Sequence, residues 1–512
     1  MKDDTYAKSC KTLVMLPEVI HQTAKKFTAS TAYISQDGQK ISYQKLDQIS
    51  EEIAAWMQSK GLSEGSVLAL SLPSGIEYIL SYLAASKLGV ITAGINPRFT
   101  DHERIEVLKV LNPDMILATQ NFDNGELGDT EIEVIEVNRK SADFMRNNRI
   151  QNREINKLSF NPNRPVCICF TSGSTGTPKG ALFTNRQLQA ISTMDTGGAW
   201  GGAGHRYAST EFAHVGVMTK LPWLLASGGT THLLDKWRAE PILKLIHDHR
   251  ISAVSAIAPQ VALMLKVEGI GKFDFDCVKA IVTGGALASP QLVKAGRELF
   301  GAPWSIRYSS TESGGVGLGT ALDADDQETL YTVGRSRPGV KATIRDNEGH
   351  PVSSGEVGEI WLQSDAMMQG YWNDPHSTAE TIVNGWLKTG DLAYQDDRGC
   401  FNLVGRTREM FIRGGYNVFP LEVEKTISTH PKVSEIALIP RNDEVMGEIG
   451  VAVIVPVDVN DPPTLESLRQ HAQNQLATYK LPEAIRIIDK LPRNTSDKVD
   501  RLQLRKGENR SR

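Results

Sequence analysis

Apolar residues follow two alternating rhythms along the first four hundred positions. Leu46, Ile49, Ile53, Trp56 and Met57 share one face at helical spacing, with Ser42 as a cap before them and Gly61 as a stop after them. Residues 67–72, apolar except for Ser71, read as a buried strand. The spacing predicts a second helix from Ile76 that closes at Gly89, then a strand over 90–95. Strand, helix and strand in that order make the unit of a parallel α/β sheet. The same rhythm returns at 243–258 and 278–301.

From Thr332 the pattern shortens into strands broken by Gly, Pro and Asp, as in an antiparallel, barrel-like region. Beyond Gly405 a compact α+β module is predicted. It has strands at 434–439 and 451–457 and a helix with Leu465, Leu468, Ala472 and Leu476 on one face. The expected fold class is therefore α/β: a large N-terminal domain of stacked α/β sheets plus a barrel-like β region (1–405), then a small α+β domain (409–512). Residues 406–408 join them.

Composition adds limits to this picture. A chain of 512 residues exceeds what one hydrophobic core organises, so several packed units are expected. Basic and acidic residues nearly balance, 56 against 60, which gives no electrostatic case for nucleic acid or an anionic membrane. Any phosphate site must be local. The five cysteines (Cys10, Cys167, Cys169, Cys277 and Cys400) are scattered and odd in number, which suits a reducing cytoplasm. Cys167 and Cys169 alternate as buried strand residues do, rather than as a metal or redox pair. Pro17 and Glu18 interrupt the only short apolar run near the start, and 76–95 carries Glu77, Lys87 and two glycines, so no transmembrane segment is expected. The final Arg-Ser-Arg is neither a peroxisomal nor a prenylation signal.

The most informative segment runs from Phe170 to Gly180. It offers hydroxyls at Thr171, Ser172, Ser174, Thr175 and Thr177, backbone amides at Gly173 and Gly176, and an ammonium at Lys179. Those are donors that can wrap triphosphate oxygens. Pro178 and the missing Gly-Lys-Ser/Thr step exclude a Walker loop. A flexible Ser/Gly hairpin is the bland alternative.

This loop resembles the signature of the adenylate-forming superfamily of acyl-CoA synthetases, peptide-synthetase adenylation domains and beetle luciferases. Further motifs follow in the family's order across nearly the whole chain. Tyr308-Ser-Ser-Thr-Glu312 resembles the family's Tyr-Gly-x-Thr-Glu, with Ser309 at the glycine position. The resemblance implies that Tyr308 faces adenine, Thr311 lies near the phosphates and Glu312 holds Mg2+. Trp386-Leu-Lys-Thr-Gly-Asp391 implies Asp391 on the ribose, with Arg406 beside it. Gly284, Gly285 and Ala286 match the glycine-rich strand end beside adenine and the acyl chain. Arg408 falls at the family's hinge, implying a mobile small domain, and Gly414 and Gly415 fall where coenzyme A passes. Residues 491–498 resemble Pro-x-Thr-x-x-Gly-Lys, with Asp497 in place of glycine and Lys498 as the catalytic lysine. Lys498, Glu312 and Thr171 are the implied catalytic set; His214, Val217, Ala258 and Gly285 are implied to line the acyl site.

The activity so implied is ATP-dependent acid–thiol ligation: a carboxylate becomes an acyl-AMP with release of pyrophosphate, and coenzyme A takes the acyl group. Nothing supplies an acidic residue for an amino-acid ammonium, so fatty, alicyclic or aryl acids are expected. Expected partners are a small carboxylic acid, ATP and coenzyme A, with a homodimer left open. The alternatives are a ligase that loads a carrier protein, a luciferase-like oxygenase, and a nucleotide-binding protein without turnover.

Overall fold

The computed structural model describes residues 13–119, 132–137, 147–171, 178–285, 288–494 and 498–508. The first predicted unit forms as the pattern demands. Ser42 caps the helix Tyr43–Ser59 by accepting from the Lys45 amide, and the helix Ile76–Leu88 ends on Gly89 in the left-handed region. Strands Val67–Ser71 and Ile91–Gly94 then pair in parallel.

That pair is the centre of a seven-stranded sheet. Its order is Gly370–Tyr371, Lys179–Thr184, Pro165–Thr171, Ile91–Gly94, Val67–Ser71, Met115–Ala118 and Glu133–Glu136. Pairing is parallel from Pro165–Thr171 outward to Glu133–Glu136, whereas Pro165–Thr171 and Lys179–Thr184 run antiparallel. The Ser/Gly loop is thus the connection of a hairpin whose flanking pair is Thr171 and Lys179. Cys167 and Cys169 are fully buried on this sheet, as the alternation predicts.

A second sheet carries the parallel strands Ala253–Ala256, Ala280–Gly284 and Trp304–Tyr308, extended antiparallel by Leu318–Gly319 and Arg335–Ser336. A small third sheet orders Lys40–Ser42, Thr31–Ile34, Thr230–His232 and His205–Tyr207. The barrel-like region is an antiparallel sheet of Lys341–Arg345, Gly358–Gln363, Trp386–Gln395, Ile382–Val383 and Phe401–Arg406.

The fifth sheet draws only on residues after Met410. Tyr416–Val418, Phe411–Arg413, Gly447–Pro456 and Val433–Asp443 pair antiparallel, and Ala484–Ile487 joins in parallel. It has its own core of Phe411, Val423, Ile427, Leu438, Ile454 and Leu468. Among the described residues, no helix is long and apolar enough to cross a membrane.

Candidate active site

The site lies where the motifs end their strands. Gly284 and Arg307 are register partners on neighbouring parallel strands, so Gly285 and the Tyr308–Glu312 segment leave the second sheet side by side at its carboxyl edge. Ligands of α/β sheets bind at such edges. A side chain at Gly284 would meet the Arg307 carbonyl at 2.9 Å, which explains glycine at this close approach. Ser309 is not among the residues of positive φ, so a side chain fits where the family's motif has glycine.

Asp391 reaches the same place from the antiparallel sheet. Register pairs it with Arg406 on the adjacent strand. Arg406 donates Nε to Asp391 Oδ1 at 2.8 Å, and the Tyr308 hydroxyl donates to Oδ2 at 2.6 Å. Burial and then the Asp391 charge push the Tyr308 hydroxyl far above its ordinary pKa, fixing it as a donor. Each carboxylate oxygen accepts more than one hydrogen bond, so a buried, clamped Asp391 retains capacity for further donors.

A second cluster gathers around Glu312. Its Oε1 accepts from the Tyr371 hydroxyl at 2.9 Å. Lys179 Nζ stands 5.2 Å from the Tyr371 ring centroid and donates to Ser377 Oγ at 2.7 Å. The Thr171 hydroxyl reaches the Lys179 carbonyl at 3.4 Å, across the hairpin. Sequence reasoning missed Tyr371 and Ser377. The pairs Glu312–Tyr371 and Lys179–Ser377 are 59 and 198 residues apart, so no local spacing announces them.

Lys498 comes from the other side. Its backbone is anchored at both flanks: Lys498 N–H donates to Asn494 Oδ1 at 3.1 Å, and Arg493 bridges to Val499. Arg501, three residues on, braces it with Nη1 and Nη2 on the Glu424 carboxylate at 2.7 and 2.9 Å, and Nε lies 3.3 Å from Glu409. The Lys498 ammonium is enclosed by protein yet open to solvent within the cleft. Burial and then the Arg406 charge lower its pKa, while Asp391, Glu312 and Glu409 oppose that shift. Lysine and both acidic clusters therefore share one electrostatic neighbourhood.

His214 completes the cleft. A side chain at Gly94 would collide with Ala213 Cα at 2.7 Å and Met218 Sδ at 2.6 Å, so glycine there lets the 213–218 segment rest on the central sheet. His214 caps the single turn Val215–Met218, its Nδ1 accepting from Gly216 N–H at 3.1 Å. Its ring faces cleft solvent although protein surrounds it. Burial, then the Lys498 charge, pull its pKa down to about 4, so it is neutral at ordinary pH.

The other expected residues are distributed less evenly. Gly285 is exposed with φ +76°, its open side 3.7 Å from Ile257, next to the buried Ala258. Val217 is buried in a different apolar cluster from Ala258. Thr311 is half-buried in the turn after Tyr308. Arg408 sits in a three-residue turn, and its charge bears on Tyr371. Gly414 donates to the Met446 carbonyl at 2.8 Å, so the Gly414–Gly415 turn rests on its own sheet's loop. Ser172, Gly173, Ser174, Thr175, Gly176, Thr177, Ala286 and Asp497 lie outside the described residues.

At these strand ends the structure brings together an Asp391 clamped by Tyr308 and Arg406, a Glu312 hydrogen-bonded by Tyr371, and Lys498 from the C-terminal part. Family models agree: residues 20–372 match "AMP-binding enzyme" and 422–498 match "AMP-binding enzyme C-terminal domain". The chain belongs to this family, the adenylate-forming superfamily. It is 28% identical over 479 residues to the indoleacetate–CoA ligase of Aromatoleum aromaticum, covering 91% of this chain and 92% of that one. It is 27% identical over 478 residues to the fatty acid–[acyl-carrier-protein] ligase ScoC of Streptomyces coeruleorubidus, covering 92% of each. The o-succinylbenzoate CoA synthetase of Bacillus subtilis, solved with its acyl-adenylate intermediate, superimposes with TM-score 0.85 at 25% identity, covering 96% of this chain and 98% of that one.

Proposed function

We propose that this protein is an AMP-forming acid–coenzyme A ligase that activates a fatty, alicyclic or aryl carboxylic acid. The observation that carries this reading is the approach of Lys498 to the Asp391 and Glu312 clusters from outside them. A carboxylate oxygen attacks the α-phosphorus of ATP, the bond to the pyrophosphate oxygen breaks, and acyl-AMP forms. Two anions must meet, so catalysis is chiefly positioning and charge neutralisation.

Asp391 accepts from the ribose hydroxyls while Arg406 and Tyr308 hold it still. Lys179 and the hairpin loop take the phosphates, with Thr171 at the loop's base. Lys498 neutralises the substrate carboxylate and the α-phosphate together. The Glu312 carboxylate, hydrogen-bonded by Tyr371, is an oxygen donor of the kind a hard cation takes; it would hold Mg2+, which neutralises phosphate charge when bound. Neutral His214 with Val217, Ala258 and Gly285 supports an uncharged acyl body. Residues 406–408 serve as the hinge between 1–405 and 409–512, and turning there withdraws Lys498 and brings Gly414 and Gly415 to the thiol substrate.

The similarity to ScoC supports a second acceptor, a carrier protein, on the same first half-reaction. Pyrophosphate release across a panel of acids, with and without coenzyme A, tests the reading. The expected result is acid-dependent release, with thioester formed only when coenzyme A is present. No release with any acid would leave a nucleotide-binding protein without turnover. Release without thioester would point to the carrier protein.

A further inference from the structure

Outside this cleft, three histidines from three elements converge. His205 starts the strand His205–Tyr207, His232 ends the strand Thr230–His232, and His249 ends the helix Ala239–His249. In the parallel register His205 pairs with Thr230 and Tyr207 with His232, which sets the two strand histidines diagonally on one face. His205 Nδ1 and His232 Nε2 are 2.9 Å apart. The His249 ring lies 4.8 Å from that of His205 and 4.1 Å from that of His232, centroid to centroid. One ring nitrogen from each lies within 4.8 Å of the others.

We propose that His205, His232 and His249 form a site for one transition-metal dication of the zinc class, separate from the magnesium and nucleotide groups. Three imidazoles without a carboxylate suit a borderline cation such as Zn2+ and not Mg2+ or Ca2+, which take oxygen ligands.

The geometry needs little adjustment. Nitrogens about 2.0–2.1 Å from a tetrahedral metal are about 3.3 Å from one another. His205 is exposed and His249 half-exposed, so side-chain rotation alone can draw their nitrogens in towards buried His232. A bound ion would replace the single shared proton between His205 and His232 with three strong bonds. It would also tie two strands of the small third sheet to the end of a helix whose Ile242, Leu243 and Ile246 lie in the core beneath the second sheet. Solvent at His205 supplies the fourth ligand as water, which makes this a three-histidine site with one open position.

The test uses the full chain without an affinity tag, stripped with a chelator and dialysed. Titration calorimetry with Zn2+ alone is expected to give one equivalent, unchanged by millimolar Mg2+. Co2+ is expected to give the visible absorption of a four-coordinate ion. His205→Gln and His249→Gln, both at accessible positions, should each weaken Zn2+ binding by about 100-fold or more, with pyrophosphate release unaltered in buffer that contains Mg2+ and no Zn2+. Absence of a stoichiometric site overturns the proposal. So does Zn2+ binding that survives both substitutions, since the ion would then sit elsewhere.

Discussion

Before Arg406, the cleft side chains are tied to partners within the same part of the molecule: Asp391 to Tyr308 and Arg406, Glu312 to Tyr371, Lys179 to Ser377. After Met410, the bracing stops at the backbone. Asn494 holds the Lys498 main chain and Arg501 grips Glu424, but of the charges bearing on the Lys498 ammonium Asp391 and Glu312 belong to the other part, with Arg406 and Glu409 at the join. Across the join Lys425 Nζ donates to the Leu403 carbonyl at 2.7 Å, and a side chain at Gly405 would meet Phe419 Cβ at 3.3 Å. The difference separates two jobs. On the function proposed above, the nucleotide-binding groups would be held in place before binding, whereas the Lys498 charge would move with its own sheet.

The largest expected effect comes from removing that charge. Lys498→Ala should slow acyl-AMP formation by about 10²–10³ while sparing thioester formation from supplied acyl-AMP, because the lysine serves only the transition state in which two anions meet. Single-turnover assays of each half-reaction provide the measurement. Near-normal acyl-AMP formation would mean that the small part adds nothing to adenylation.

Arg408→Pro addresses the join itself. Proline holds φ near −65° and restricts Thr407, so one of two domain arrangements should be lost. Adenylation should persist and transfer to coenzyme A should fall by about ten-fold or more, the scale of a gated step. If neither step slows, the turn at 407–409 is not where the parts move.

Asp391→Ala tests the preorganised side. Loss of one charge-assisted clamp should weaken ATP binding by about ten- to a hundred-fold, from about 1.5–3 kcal/mol. With a nucleotide lacking both ribose hydroxyls the loss should nearly vanish. Equal losses for the two nucleotides would detach Asp391 from the ribose.

The two parts were also unequally legible. Helix ends at Ser42 and Gly89, the buried Cys167 and Cys169, and the α+β module after Gly405 follow from period and capping, which are local. Asp391 and Arg406 were legible as motif residues, yet their contact depends on strand register across a bulge between Leu392 and Ala393. Tyr371, Ser377 and Arg501 escaped because each acts through a partner at least 59 residues away. The three histidines escaped for the same reason: 205, 232 and 249 share no motif spacing, and it takes the third sheet and the helix Ala239–His249 to bring them together.

The smallest effect is electrostatic and reads the distance between the parts without turnover. Desolvation by the protein packed around the ring, and secondly the Lys498 charge, pull the His214 pKa down to about 4 although one side of the residue is exposed. Between about 4 and the ordinary 6.5 the unfolded chain holds a proton at this ring and the folded chain does not. Unfolding then takes up a proton, so His214 contributes stability above 6.5 that is lost as pH falls through this window. The ring faces cleft solvent, which keeps the contribution small. An NMR titration of the His214 ring should therefore show a midpoint well below 6.5. Lys498→Ala should raise that midpoint, since a neutral side chain no longer repels the proton, while burial keeps it below the ordinary value. Adding acid substrate and ATP should not reverse the order of the two proteins. A midpoint unmoved by Lys498→Ala would mean that Lys498 stands away from the acyl side in solution, and the small part would then have to close before the first half-reaction as well as turn before the second.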